Sequence, residues 1–361
     1  MTPQKESPYR WLFFYATLKS MRSKIIWIAG GAMISFVSAG ITLFILTQVI
    51  HKATVAATAT VKSNAEQTST QTKTEMPAVA VTAAPATTYG DIYASGVLPV
   101  GDNKYSTTTP QKGNIYLCQA PNANGPGGGT GTRGPWFTNN NTEYDLNKKV
   151  SVGGKVSWRG NYSMKIVNGQ RIITTNDLPL SHTTGTFPIN TSDPAHAYDG
   201  NPNSIKTQTL SFTLPASPTA ASTPGCMSGS TIGIMTTGVA LFNGFDAEGR
   251  DAGAWEIQDS CGGHPQISGE YHYHTLSSCI TDVSATTVIG YAIDGYPITG
   301  PTVSKGNIMT TKDLDECHGT TSSIMLDGSS VNTYHYVMTQ DFPYSISCLK
   351  AAAVSTHLGP Q

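Results

Sequence analysis

Charged side chains are scarce in this chain. Asp, Glu, Lys and Arg make up 12% of its 361 residues, and the formal net charge is −1. Without a surplus of Lys and Arg there is no basic patch to meet nucleic-acid phosphates, which excludes that partner class. Common catalytic signatures are missing as well: the chain holds no G-x-S-x-G, no H-E-x-x-H and no P-loop. None of the six cysteines stands in a CxxC pair, so neither a zinc ribbon nor a redox-active dithiol is expected. Strong helix formers are thin. In their place, 36 glycines, 21 prolines and abundant Thr and Ser suit a loop-rich β protein with many turns.

One long uncharged run stands out, from Ile25 to Ile50. It exceeds the ~20 apolar residues needed to span a bilayer and the ~7–15 of a secretory signal core, so an uncleaved anchor is expected. Lys5, Arg10, Lys19, Arg22 and Lys24 precede it, while only Lys52 follows closely. The positive-inside rule then places residues 1–24 as a cytoplasmic tail, 25–50 in the membrane and the rest outside. Small residues at Ala56–Ala59 leave later cleavage open. Residues 51–88, dominated by Ala and Thr without folding-competent aromatics, read as a stalk. Residues 89–361, where aromatics and Gly return, read as the extracytoplasmic region.

Cys118, Cys226, Cys261, Cys279, Cys317 and Cys348 all lie beyond the anchor, in what would be an oxidising compartment, and an even set there implies three disulfides. Sequence proximity favours Cys261–Cys279 and Cys317–Cys348, leaving Cys118–Cys226. Short alternating runs predict strands over Val150–Trp158, Gln170–Thr175 and Thr207–Leu214. Val288–Ile293 and Tyr296–Ile298 predict a hairpin joined at Asp294-Gly295. A short helix is expected around Lys312–Cys317, capped by Thr310 or Thr311. The expected fold is all-β or β-rich α+β with sandwich-like sheets.

The glycine run from Gly127 to Gly134 formally contains G-x-G-x-x-G, but Pro135-Trp136 follows where a nucleotide site needs a helix, so it reads as a loop. The densest chemistry lies in Glu270-Tyr271-His272-Tyr273-His274. On a strand this alternation sends Glu270, His272 and His274 to one face and the two tyrosines to the other. A carboxylate and two imidazoles on one face can hold a transition metal, zinc or copper, with His264 or His335 completing the set. Asp259 is a natural partner to fix an imidazole tautomer. Two acid-rich loops, Asp246–Asp251 and Asp199–Asn203, carry oxygen donors for calcium but lack EF-hand spacing and read as turns.

Ordered blocks surround that segment: Gly238–Asp246, Asp259–Pro265, Gly290–Ile298, Leu314–Gly319, Tyr334-His335-Tyr336 and Phe342-Pro343-Tyr344. In content and order they resemble the YHYH domain family, named after the tetrapeptide at Tyr271–His274, most closely over residues 238–349. Weaker blocks at Asn176–Pro179 and Thr184–Pro188 suggest that the module begins upstream. The resemblance implies a secreted or surface-anchored module and supplies no catalytic residues. Thr299 and Leu349 stand where the family more often has an aromatic. Three function classes follow: transition-metal binding through the histidines, an adhesion or ligand-binding module for a protein or glycan whose histidines are structural, and a hydrolase, either metal-dependent or working without metal through His272 or His274 paired to Asp259 or Glu270.

Overall fold

Residues 93–122, 132–229 and 231–352 are described by a computed structural model. The expected anchor, the stalk and most of the glycine loop lie outside these residues. No helix among the described residues is long and apolar enough to cross a membrane.

The chain is β-rich. Its strands are β1 (Val97–Pro99), β2 (Tyr105–Ser106), β3 (Ile115–Tyr116), β4 (Phe137–Thr138), β5 (Glu143–Asp145), β6 (Tyr162–Val167), β7 (Gln170–Thr175) and β8 (Leu210–Pro215). They continue as β9 (Thr231–Met235), β10 (Ala240–Phe242), β11 (Gly263–Pro265), β12 (Tyr271–Tyr273), β13 (Val288–Ala292), β14 (Pro297–Thr299), β15 (Thr302–Ser304), β16 (Asn307–Ile308), β17 (Gly319–Leu326) and β18 (Ser329–Val337). One eight-stranded sheet, in the order β11-β12-β10-β9-β13-β14-β18-β17, dominates. It is mixed: β10 runs parallel to β12, and β14 parallel to β18. Short antiparallel meanders alone would not bring these segments side by side.

The second sheet of consequence is β6-β7-β8. Ile173, Leu210, Phe212 and Leu214 from β7 and β8 share one buried cluster with Ile234, Ala240, Phe242 and Tyr291. The smaller sheet therefore packs face-on against the larger one, as aligned sheets do. Arg171 fastens the two. It is 1% exposed, makes paired 2.7 Å contacts to both carboxylate oxygens of Asp327 at the β17–β18 turn, and lies 4.2 Å over the Tyr291 ring. Residues of the opposite face, including Leu241, Tyr271 and Tyr273, belong to another cluster with Phe342, Tyr344 and Ile346.

β7 and β8 fall where alternation predicts them, and β13 and β14 form the expected hairpin. Asp294 at that turn is buried and accepts hydrogen bonds from Tyr336 Oη (2.6 Å) and the Ala351 amide (3.0 Å), so it ties the turn to the chain's later part. The expected helix near Lys312 is a 3-10 turn, Thr311–Asp313, with Thr310 and Asp313 in a reciprocal capping box. Val150–Trp158 differs from expectation. It makes only isolated bridges, Val152 to Asp259 and Val156 to Thr184, because the Gly pair interrupts any longer ladder. Disulfides join Cys118 to Cys226, Cys261 to Cys279 and Cys317 to Cys348, the pairing that sequence proximity suggests.

Candidate metal centre

The site begins with the β11–β12 hairpin. Antiparallel register sets His264 directly opposite His272, so their side chains share a face. Gly269, at φ +89°, lets the intervening turn close, with its amide donating to the Gln266 carbonyl. Gly263 leaves room for the Tyr271 ring, whose nearest atom would lie 2.3 Å from any added Cβ. Strand alternation then brings His274 beside His272 while Tyr271 and Tyr273 fill the core opposite. The three imidazole centroids lie 4.5 Å (His264–His272), 4.8 Å (His272–His274) and 5.5 Å (His264–His274) apart. All three histidines fall inside the loop that Cys261–Cys279 closes.

A fourth donor comes from a part of the chain that carries no recognisable motif. The helix α1 (Ala252–Trp255), the one α-helix among the described residues, is capped by Asp251. Asp251 is itself anchored by the Gly101 amide at 2.7 Å and by Tyr344 Oη. Glu256 is the C-cap of this turn, and its extended backbone swings the side chain towards the hairpin. Glu256 Oε2 lies 3.2 Å from His264 Nε2 and 3.1 Å from His274 Nε2.

Backbone contacts fix two tautomers. His272 Nδ1 donates to the Glu270 carbonyl at 3.1 Å, and His274 Nδ1 donates to the Asn243 carbonyl. In a neutral ring that leaves Nε2 as a lone pair, the arrangement a metal ligand needs. The two Nε2 atoms face each other at 3.0 Å. Two lone pairs at that distance repel unless a proton or a cation sits between them. Glu256 Oε2 and both ring nitrogens of His264 are buried without an aligned hydrogen bond. Short distance without alignment is what ligands aimed at a shared centre produce. Four donors bound tetrahedrally at ~2.0–2.1 Å would stand about 3.3 Å apart. Three of the six separations in such a cage are matched to within about 0.3 Å, at 3.0, 3.1 and 3.2 Å, and the three histidines offer ligand atoms that all lie within 4.8 Å of one another.

The electrostatics agree. Burial would raise the Glu256 carboxyl, yet His264 and His274 hold it well below the usual range. Burial depresses the His272 imidazole well below its ordinary value, and the two neighbouring rings add to the effect. His274 is raised against the pull of burial, because Glu256 favours its charged form.

The cluster lies along a cleft of about 1200 Å³. Phe242 stacks on His272 with ring centroids 3.8 Å apart, making one wall apolar. Glu270 lines the same cleft, but its Oε2 accepts from Gln266 Nε2 at 3.0 Å rather than joining the four converging atoms. Asp259 does not touch an imidazole. It accepts from the Gly185 amide (2.9 Å), the Cys261 amide (2.9 Å), the Gly263 amide (3.2 Å) and Tyr271 Oη (2.9 Å), which makes it the organiser of the turn before β11. His335 is elsewhere. It is held between Thr299 Oγ1 and Ser322 Oγ, each at 2.9 Å, on β18. Four strands separate β18 from β12, and five steps of ~4.8 Å put them roughly 24 Å apart. His335 therefore does not join the His264, His272 and His274 cluster, contrary to expectation, and Glu256 stands beside that cluster instead.

His182 also stands near Cys261 and Cys279, but those sulfurs are joined to each other and the ring bonds Tyr273 Oη. The two loops weighed for calcium are occupied by their own turns. Asp246 holds the Glu248 and Arg250 amides and the Arg250 guanidinium, and Asn201 and Asn203 both donate to the Pro265 carbonyl behind His264.

Fold and site together define a β-rich, disulfide-bonded protein with a buried imidazole–carboxylate cluster that could hold a metal ion. Residues 211–310 match the family model described as YHYH protein, so the chain carries a YHYH region that includes β9 to β16 and Glu256, His264, His272 and His274. No curated protein and no solved structure matches the chain.

Proposed function

We propose that this protein binds a transition-metal ion, zinc or copper, through Glu256, His264, His272 and His274. One observation carries the reading: four donor groups from two separate chain segments close to within 3.0–3.2 Å of a neighbour, and Glu256 Oε2 and both ring nitrogens of His264 among them are buried without a hydrogen-bond partner. Three imidazoles and a carboxylate are borderline donors, suited to both metals. The uncharged run at 25–50 and the stalk after it support display of this site outside a membrane.

The competing reading is an adhesion or ligand-binding module whose histidines are structural. The Glu256–His274 pair favours it, since a buried ion pair can hold two segments together without a metal. Metal content separates the two. Protein purified without chelator or affinity metal should contain near-stoichiometric zinc or copper, and His272→Ala/His274→Ala should lose it with all three disulfides intact. A folded wild type that stays empty after incubation with both ions would leave the structural reading.

A further inference from the structure

Most polar groups along the cleft serve the scaffold. Asn201 and Asn203 donate to the Pro265 carbonyl, Asn243 Oδ1 accepts the Phe245 amide, and Asp246 is paired with Arg250 at 2.7 Å. Outside the Glu256, His264, His272 and His274 cluster, Glu270 is the exception. It is 8% exposed and lines the cleft together with His272 and His274, yet its Oε1 is buried with no hydrogen-bond partner. An unpaired buried carboxylate oxygen carries a desolvation cost that a bound cation would offset. No Lys or Arg among the described residues lines the cleft, whereas Asp199, Asp246, Glu256 and Glu270 do. Phosphate esters and carboxylates would meet repulsion there, and a divalent cation attraction.

We propose that the cleft is the access path of a divalent transition-metal cation arriving as its aqua ion, and that Glu270 Oε1 is its first protein ligand. The ion exchanges one water for Glu270, then passes to the Glu256, His264, His272 and His274 cage as its other waters leave. No bond of the protein breaks and no electron moves. The inference rests on the metal reading above and adds the chemical form the site accepts. A ligand held only in passing lowers the barrier without altering either end state. Loading and release then share its effect equally.

The test mixes the full chain, wild type and Glu270→Gln, with Cu2+ alone. Loading is followed by quenching of tryptophan emission, to which Trp255 beside the site contributes, and release by transfer to a chelating dye. Final stoichiometry comes from elemental analysis. In the variant both rates should fall together by about tenfold, with their ratio and the stoichiometry held. Wild-type loading should also slow as salt is added and when copper is offered as its anionic citrate complex. Unchanged rates in the variant would overturn the proposal, and so would salt-insensitive wild-type loading. A weaker equilibrium affinity with normal loading would overturn it too, by making Glu270 a resident ligand. Those results would leave the metal reading standing, whereas a wild type that takes up no copper would remove both.

Discussion

Replacing Glu256 with Gln keeps the side-chain volume and removes one charge. In the wild type the carboxylate stands 3.2 Å from His264 Nε2 and 3.1 Å from His274 Nε2. At an effective dielectric of ~20, a unit charge pair at this separation is worth roughly 5 kcal/mol before hydration is subtracted. Desolvation cancels part of that, so the expected loss is about 3–4 kcal/mol, or on the order of 10²–10³-fold in metal affinity. Calorimetric titration with Zn2+ near neutral pH reads the affinity directly. Thermal denaturation gives a second view. Zinc at ~1,000 times the wild-type dissociation constant should stabilise the wild type by about 4 kcal/mol and the variant by about 1 kcal/mol. A variant that binds zinc as tightly as the wild type would refute the assignment of Glu256 as a ligand. Loss of stability without any zinc response in either protein would make the cluster a structural ion pair.

Further outcomes follow from other parts of the fold. Burial pushes the His318 imidazole down to about 3, against ~6.5 in an unfolded chain. Below about pH 6.5 the unfolded state takes up a proton that the folded state refuses, so stability should fall towards pH 3 by up to about 1.4 kcal/mol per pH unit from this group. His318 sits at φ +70°, which Asn tolerates, and His318→Asn should flatten that part of a denaturation series; an unaltered slope would contradict the assignment. Arg171→Met removes the paired Asp327 contacts and the stacking on Tyr291, and urea denaturation should show a loss of roughly 3 kcal/mol; less than ~1 kcal/mol would mean that the sheets are joined mainly by their apolar faces. Opening Cys261–Cys279 with Cys261→Ser/Cys279→Ser unclamps the loop carrying all three histidines, and metal affinity should drop about tenfold or more. By linkage, bound metal should slow reduction of the wild-type bridge; equal reduction rates with and without metal would break that coupling.

Local pattern made part of this protein legible before any coordinates. Period-two alternation placed β7 and β8, because one face of each is buried, and the Asp294-Gly295 turn between two apolar runs placed the β13–β14 hairpin. The same alternation put His272 and His274 on one face, and register across a short turn added His264. It also put Glu270 there, but alternation fixes a face and not where a long side chain ends, and Gln266 holds that carboxylate aside. His335 repeats the Tyr-His-Tyr pattern, yet sheet order decides proximity, and parallel crossovers set four strands between the copies. Glu256 was illegible for the opposite reason. It ends a four-residue helix with no motif around it, and only the packing of that helix against the hairpin gives its carboxylate a role. Asp259, close in sequence to His264, looked like its partner, but four donors to its oxygens claim it for the turn.

X-ray absorption on the metal-loaded protein tests the central claim most directly, since it reads the ligands around the ion itself. The account predicts three imidazole nitrogens and one carboxylate oxygen at about 2.0–2.1 Å, with no sulfur. A shell of oxygens without imidazole scattering, or one containing sulfur, would contradict it.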